Sequence, residues 1–303
     1  MKRILLFLAT NAAVLVVLSV VFRIFGIEQW LYQNGTDINL QGLLLFSALF
    51  GMGGSLISLA LSKWMAKNTM GVAVIEQPTD SQQRWLLATV QRLSGKAGIG
   101  MPEVGIFQSD SPNAFATGMH RDQALVAVSS GLLQRMPRDQ VEAVLGHEIT
   151  HVANGDMVTL GLLQGVINTF VIFLARLVGL VVDRVVFRDD RGMGIGYFIT
   201  TLVAQMFLSF LASFIVMAFS RWREYRADAG GARLAGRNPM ISALRTLQRL
   251  QNAEPLPGNL AAFGIQAPLG ETLTRLLMSH PPLEDRIAAL EQAGRTEWIG
   301  HTG

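Results

Sequence analysis

The chain has 303 residues, 50% of them hydrophobic and 16% charged, with 30 Gly, no Cys and a net charge of +3. Counting Gly and leaving Tyr aside gives about 59% apolar, against a usual ~45–50%, while the charged share falls below the usual ~25%. These figures exclude a disordered chain, a disulfide framework and a thiolate-based metal or catalytic site, and they speak against an ordinary soluble enzyme.

The surplus of apolar residues lies in four runs. Ile4–Val21 follows Met1-Lys2-Arg3 and has no charge. No small-residue cleavage site follows it, so it reads as an uncleaved anchor rather than a signal peptide. Ile38–Ser62 is also charge-free, Val158–Val182 holds only Arg176, and Ile195–Ser220 has no charge. About 20 apolar residues span a bilayer as a helix. Four transmembrane helices are therefore expected, the third being the weakest because of Arg176.

Basic residues flank the runs unevenly. Lys2 and Arg3 precede the first, Lys63 and Lys67 follow the second, and Arg221, Arg223 and Arg226 follow the fourth. The loop Gly26–Asp37 has no Lys or Arg. This asymmetry puts both termini and the long polar segments in the cytoplasm. It also accounts for the positive charge without a nucleic-acid partner.

The expected organisation is two transmembrane helices in 1–67, a first cytoplasmic part in 68–157, a transmembrane pair in 158–220 and a second cytoplasmic part in 221–303. In the first cytoplasmic part Gln82–Leu93 has a helical pattern. Glu103–Gln108, Asn113–Thr117 and Ala124–Val128 read as strands, with turns at Ser111-Pro112 and Arg121-Asp122. Pro137-Arg138-Asp139 opens a helix whose Val141, Val144, Leu145 and Ile149 form one apolar face. In the second part, one helix is expected over Arg221–Leu234, another from Asn238-Pro239, and a last one over Leu283–Ala293. Pro255–Pro268 reads as a loop. The fold class expected is a mainly α membrane protein with a cytoplasmic α+β zincin-like domain.

The chemistry is carried by His147-Glu148-Ile149-Thr150-His151. Two of only 5 His fall at a spacing that puts both imidazoles on one helix face, with Glu148 beside them. Such a pair binds one Zn²⁺, and the glutamate can act on a water at the metal. A catalytic zinc needs a third protein ligand. His120 and His301 are candidates that read more simply as surface residues. Glu224, one turn past the fourth run, is favoured, although it also reads as a solvated charge among arginines. Asp228, one turn on, can accept a ring N–H from a ligand histidine or pair with an arginine. Asp156 can do the same or simply end the helix.

Three ordered motifs carry a resemblance: His147–His151 with Asn154-Gly155-Asp156, Glu224-Tyr225-Arg226-Ala227-Asp228, and His280-Pro281-Pro282-Leu283-Glu284-Asp285-Arg286. Together they resemble the HtpX family, bacterial membrane zinc endopeptidases related to the CAAX prenyl proteases, over nearly the whole chain. The resemblance implies one Zn²⁺ held by His147, His151 and Glu224, with Glu148 as the catalytic glutamate. It implies quality control and stress response at the inner membrane, with misfolded membrane proteins or extended polypeptides as substrates. It raises two further roles: His280 as a donor that steadies the oxyanion, and Asn113 in Ser111–Gly118 as a contact to substrate backbone. Strand-like pairing with substrate implies broad specificity. Thr150 stands where the family often has Ser. A prenyl-CAAX protease is the alternative with the same ligands but more expected spans. A zinc-binding scaffold or chaperone is the other, and Glu148 argues against it.

Overall fold

The computed structural model describes residues 39–187, 194–253 and 278–299, together with Val20, Ile24, Gly26 and Gln29. The elements in chain order are α1 (Leu40–Thr69), β1 (Ala73–Val74), α2 (Ser81–Ala97), β2 (Glu103–Phe107), β3 (Ala114–Thr117), β4 (Leu125–Ser129), α3 (Ser130–Arg135), α4 (Arg138–Asn154), α5 (Asp156–Val185), α6 (Ile195–Ala235), α7 (Arg237–Ala253) and α8 (Leu283–Ile299). Three of them, α1, α5 and α6, are long and apolar enough to cross a membrane. The expected first span and the Pro255–Pro268 loop lie outside the described residues.

The chain divides into two compact units. One takes residues up to Ser58 and Leu160–Val216, the other Leu59–Thr159 and Met217–Gly303. In the first unit small residues allow close helix contact. A side chain at Gly51 would meet Thr169, and Ser55 Oγ donates to the Gly161 carbonyl. Arg176 lies over the Phe46 ring at 4.9 Å, which gives the cation in the middle of α5 an aromatic face. Asp183 is buried and accepts the backbone N–H of Tyr197 at 2.9 Å, at the start of α6. It thereby satisfies a helix-end donor that has no partner within the helix.

The second unit is built on a four-stranded sheet of order β1-β2-β4-β3. β2 and β4 run parallel, and β1 and β3 are antiparallel to their neighbours. β4 is buried along its whole length, so it does not alternate as a half-exposed strand would. Val126 and Val128 face the core formed with Leu86, Val141, Leu145 and Ile149, while Leu125 and Ala127 pack with Phe107, Ala66 and Val72. The two-residue β1 was not expected; it is too short to leave a periodic signal. β3 is the outer strand on its side, and α4 packs against it.

One boundary differs from expectation. The helix expected over Arg221–Leu234 is not separate: α6 runs unbroken from Ile195 to Ala235. Nothing between Ser220 and Arg221 can stop it, since neither Gly, Pro nor a capping turn stands there. One side of its last turns, Ser220, Glu224, Ala227, Asp228 and Gly231, is buried.

Contact between α4 and α6 depends on Gly230 and Gly231. A Cβ at Gly230 would lie within 2.8 Å of Thr150 Cβ, and one at Gly231 would lie 3.0 Å from the His147 backbone nitrogen. Gly costs helix stability, and here that cost is offset by bringing two helix backbones together. Gly230→Ala is expected to destabilise the second unit by about 1–3 kcal/mol through overpacking. Thermal unfolding in detergent reads the loss, and adding Thr150→Ala should recover part of it. An unchanged midpoint in Gly230→Ala would mean the helices do not approach this closely.

Candidate metal centre

The centre forms where α4, the last turns of α6 and the start of α8 meet. α4 starts after Pro137, buries Val141, Val144, Leu145, Ile149 and Val152, and so fixes the helix rotation that aims His147 and His151 the same way. Both histidines are buried, and their rings meet edge to face with centroids 4.7 Å apart. Gly155 closes α4 with φ +66°, its N–H donating towards the His151 and Val152 carbonyls. That left-handed residue lets α5 start at once, at Asp156.

Each imidazole is held by its outer nitrogen. His147 Nδ1 lies 2.9 Å from Asp228 Oδ1, and His151 Nδ1 lies 2.7 Å from Asp156 Oδ2. With the Nδ1 protons committed there, both Nε2 atoms turn inward, 3.1 Å apart. Glu224 completes the group: Oε1 is 3.3 Å from His151 Nε2, and Oε2 is 3.5 Å from His147 Nε2. One ligand atom from each of His147, His151 and Glu224 lies within 4.8 Å of the other two, and the three form a group able to hold a metal ion.

The Glu224 carboxylate supports that reading. The residue is 1% exposed, and neither oxygen accepts a hydrogen bond of good geometry. His280 Nδ1 does come within 2.8 Å of Oε2, and Arg286 Nη1 within 3.7 Å. A buried carboxylate this poorly bonded is costly unless a cation faces it. Two His nitrogens plus a carboxylate suit zinc.

Arg286 is the residue that inspection of the sequence missed. It is buried, and its Nε and Nη2 reach the two oxygens of Asp228 at 2.7 and 2.6 Å. The same Nη2 lies 3.5 Å from His147 Nδ1. Arg286 thus locks the carboxylate that locks the imidazole. The sequence signal was present, since Arg286 closes the motif that begins at His280, but a surface arginine reads the same way without the fold.

Burial alone would push the His147 pKa down, but the Asp228 and Glu224 carboxylates overcome this and raise it to about 9. For His151 burial again opposes the charge, and Asp156 and Glu224 again prevail, so its pKa is raised. A metal at this site must therefore displace protons from the imidazoles.

Glu148 is half-buried and lines a cavity of about 120 Å³ with His147, Glu224, His280, Asn113 and Arg286. His280 is 60% exposed at the side chain. Asn113 is exposed; its backbone N–H donates to Ser129 Oγ at 2.9 Å, just before β3. Among the described residues His120 is exposed in the turn after β3 and belongs to no metal-capable group. His301 lies outside the described residues.

The profile of peptidase family M48 matches residues 80–293. Protease HtpX of Thioalkalivibrio sulfidiphilus is 63% identical over 295 residues, covering 97% of this chain and 100% of the relative. Protease HtpX of Nitrosococcus oceani is 62% identical over 290 residues, covering 95% and 98%. Among solved structures, the crystal structure of S. mikatae Ste24p is similar with a TM-score of 0.63 at 17% identity, over 96% of this chain and 67% of that one. At that identity the likeness is one of fold.

Two outcomes are expected from these contacts. Asp228→Asn and Arg286→Met should each weaken metal affinity by about 10–100-fold, read by competition with a chromogenic chelator. Wild-type affinity in both would remove the relay from Arg286 through Asp228 to His147. In chelator-treated protein, the His147 imidazolium stabilises the fold fully below its unfolded value of 6.5, and that stability is lost as pH rises through about 9. The unfolding temperature of the metal-free protein should fall across this window, and the fall should be smaller in His147→Gln.

Proposed function

The chain belongs to peptidase family M48 and is a metalloendopeptidase, and on that footing we propose that it is a zinc-dependent membrane protease that cuts misfolded or unassembled membrane proteins on the cytoplasmic side. The observation that carries this reading is the convergence of His147, His151 and Glu224, with Glu148 on the wall of the adjoining cavity. The bound Zn²⁺ would supply Lewis acidity, lowering the pKa of water at the site towards about 7.

The residues divide the remaining work. His147, His151 and Glu224 hold the ion. Glu148 takes the proton from the attacking water and returns it to the leaving amine. His280 lies on the same cavity wall and donates to the carbonyl oxygen as negative charge develops there. Asp228 and Asp156 keep the two imidazoles turned inward. β3 is an outer strand, with its far edge unpaired among the described residues. An extended polypeptide can add to that edge through backbone hydrogen bonds, with Asn113 at its entrance. Recognition by backbone favours unfolded segments over any one sequence, which fits a role in clearing damaged membrane proteins.

The positive-inside asymmetry at Lys63, Lys67, Arg221, Arg223 and Arg226 supports a cytoplasmic site. Glu148→Gln is expected to keep stoichiometric zinc and to lower casein-type proteolysis by at least about 10²-fold, the scale of a missing general base. Metal analysis beside the cleavage assay checks both halves. Wild-type cleavage in that variant would remove Glu148 from its role.

A further inference from the structure

The outer face of α6, on the side away from the metal centre, carries an arrangement that proteolysis does not use. Phe219 and Trp222 have ring centroids 5.8 Å apart, and the Arg226 guanidinium lies 4.7 Å above the Trp222 ring. Trp222 is 53% exposed. At 3.6 residues per turn these three share one face, and Glu224 and Asp228 lie roughly on the opposite one.

We propose that the Trp222–Arg226 pair is a seat for the headgroup of an anionic phospholipid. Three observations carry this. The first is continuity: the apolar stretch ends at Ser220 and the helix proceeds unbroken. Above Ser220, with Met206, Phe207, Phe210, Leu211 and Ile215, α6 exposes side chains suited to lipid tails. The second is depth. Along the axis Trp222 lies about 3 Å and Arg226 about 9 Å beyond Ser220, at 1.5 Å per residue. Counted from the end of the apolar stretch, that spacing is close to the depth of the polar layer of a bilayer, roughly 5–8 Å on each side. The third is chemistry. An indole prefers this layer, and a guanidinium held flat over it presents N–H groups to phosphate oxygens without losing its apolar contact.

The test uses the full chain in phosphatidylcholine vesicles that contain a small, equal fraction of either brominated phosphatidylcholine or brominated phosphatidylglycerol. The Trp222 signal is the fluorescence lost in Trp222→Phe. One arginine near an anionic surface corresponds to about fivefold enrichment of the anionic lipid. Quenching of Trp222 should be about fivefold stronger with brominated phosphatidylglycerol, and Arg226→Gln should bring the two lipids to parity. Arg226→Lys should keep part of the preference, because the charge remains and only the stacking is lost. Equal quenching by both lipids in the wild-type chain would overturn the proposal, since it means lipid contact without headgroup selection. So would no quenching by either, which means the face is covered by protein, or a full preference surviving in Arg226→Gln.

Discussion

Two imidazoles on one helix can share a single ion only if each ring is stopped from rotating. That constraint explains most of the second unit. Asp156 stops His151 from the next residue that can reach it, directly after the left-handed turn at Gly155. Asp228 stops His147 from another helix, and Arg286 stops Asp228 from a third. The sheet, through Val126 and Val128, supplies the apolar surface on which Leu145 and Ile149 set the rotation of α4. Every element that touches the centre therefore acts on the direction of a side chain.

Charge balance sets a second condition. Glu224, Asp228 and Asp156 are all buried near the two histidines, and among the described residues of the centre Arg286 is the only buried permanent cation. Buried carboxylates in such excess need cations or protons. With protons alone, the imidazoles must be charged, which is the direction in which their pKa values are driven. With a divalent ion they are neutral ligands. The same residues thus present a site that takes up either metal or protons, and the carboxylates around the rings set the balance between them.

Much of this was readable in the sequence, for identifiable reasons. Periodicity placed the helix of His147 and His151 correctly to within a residue at its start, because Pro137 and the spacing of Val141, Val144, Leu145 and Ile149 both mark it. Strands β2, β3 and β4 were each found within a residue or two, since turn residues bound them. Distance across the chain was harder to read. That Glu224 stands beside His151, that Asp228 takes Nδ1 of His147 and that Arg286 closes the relay are facts of helix packing. The first two rest on the close approach of α4 and α6 at Gly230 and Gly231, which as letters look only like weak helix formers. The unbroken α6 was misread because the change from apolar to charged at Arg221 looks like an element boundary, whereas a helix backbone is indifferent to it.

That continuity has a mechanical consequence. A hinge between Ser220 and Glu224 would let the carboxylate change its angle around the helix axis independently of the turn before it. An unbroken helix denies it that freedom: each residue advances by 1.5 Å and about 100°, so the angle of Glu224 is inherited from the residues before it. The imidazoles are fixed on α4, and the carboxylate must arrive at their shared point already oriented. The unbroken turns from Met217 to Glu224 thus set the orientation of the Glu224 carboxylate, a task that a loop of the same length could not perform.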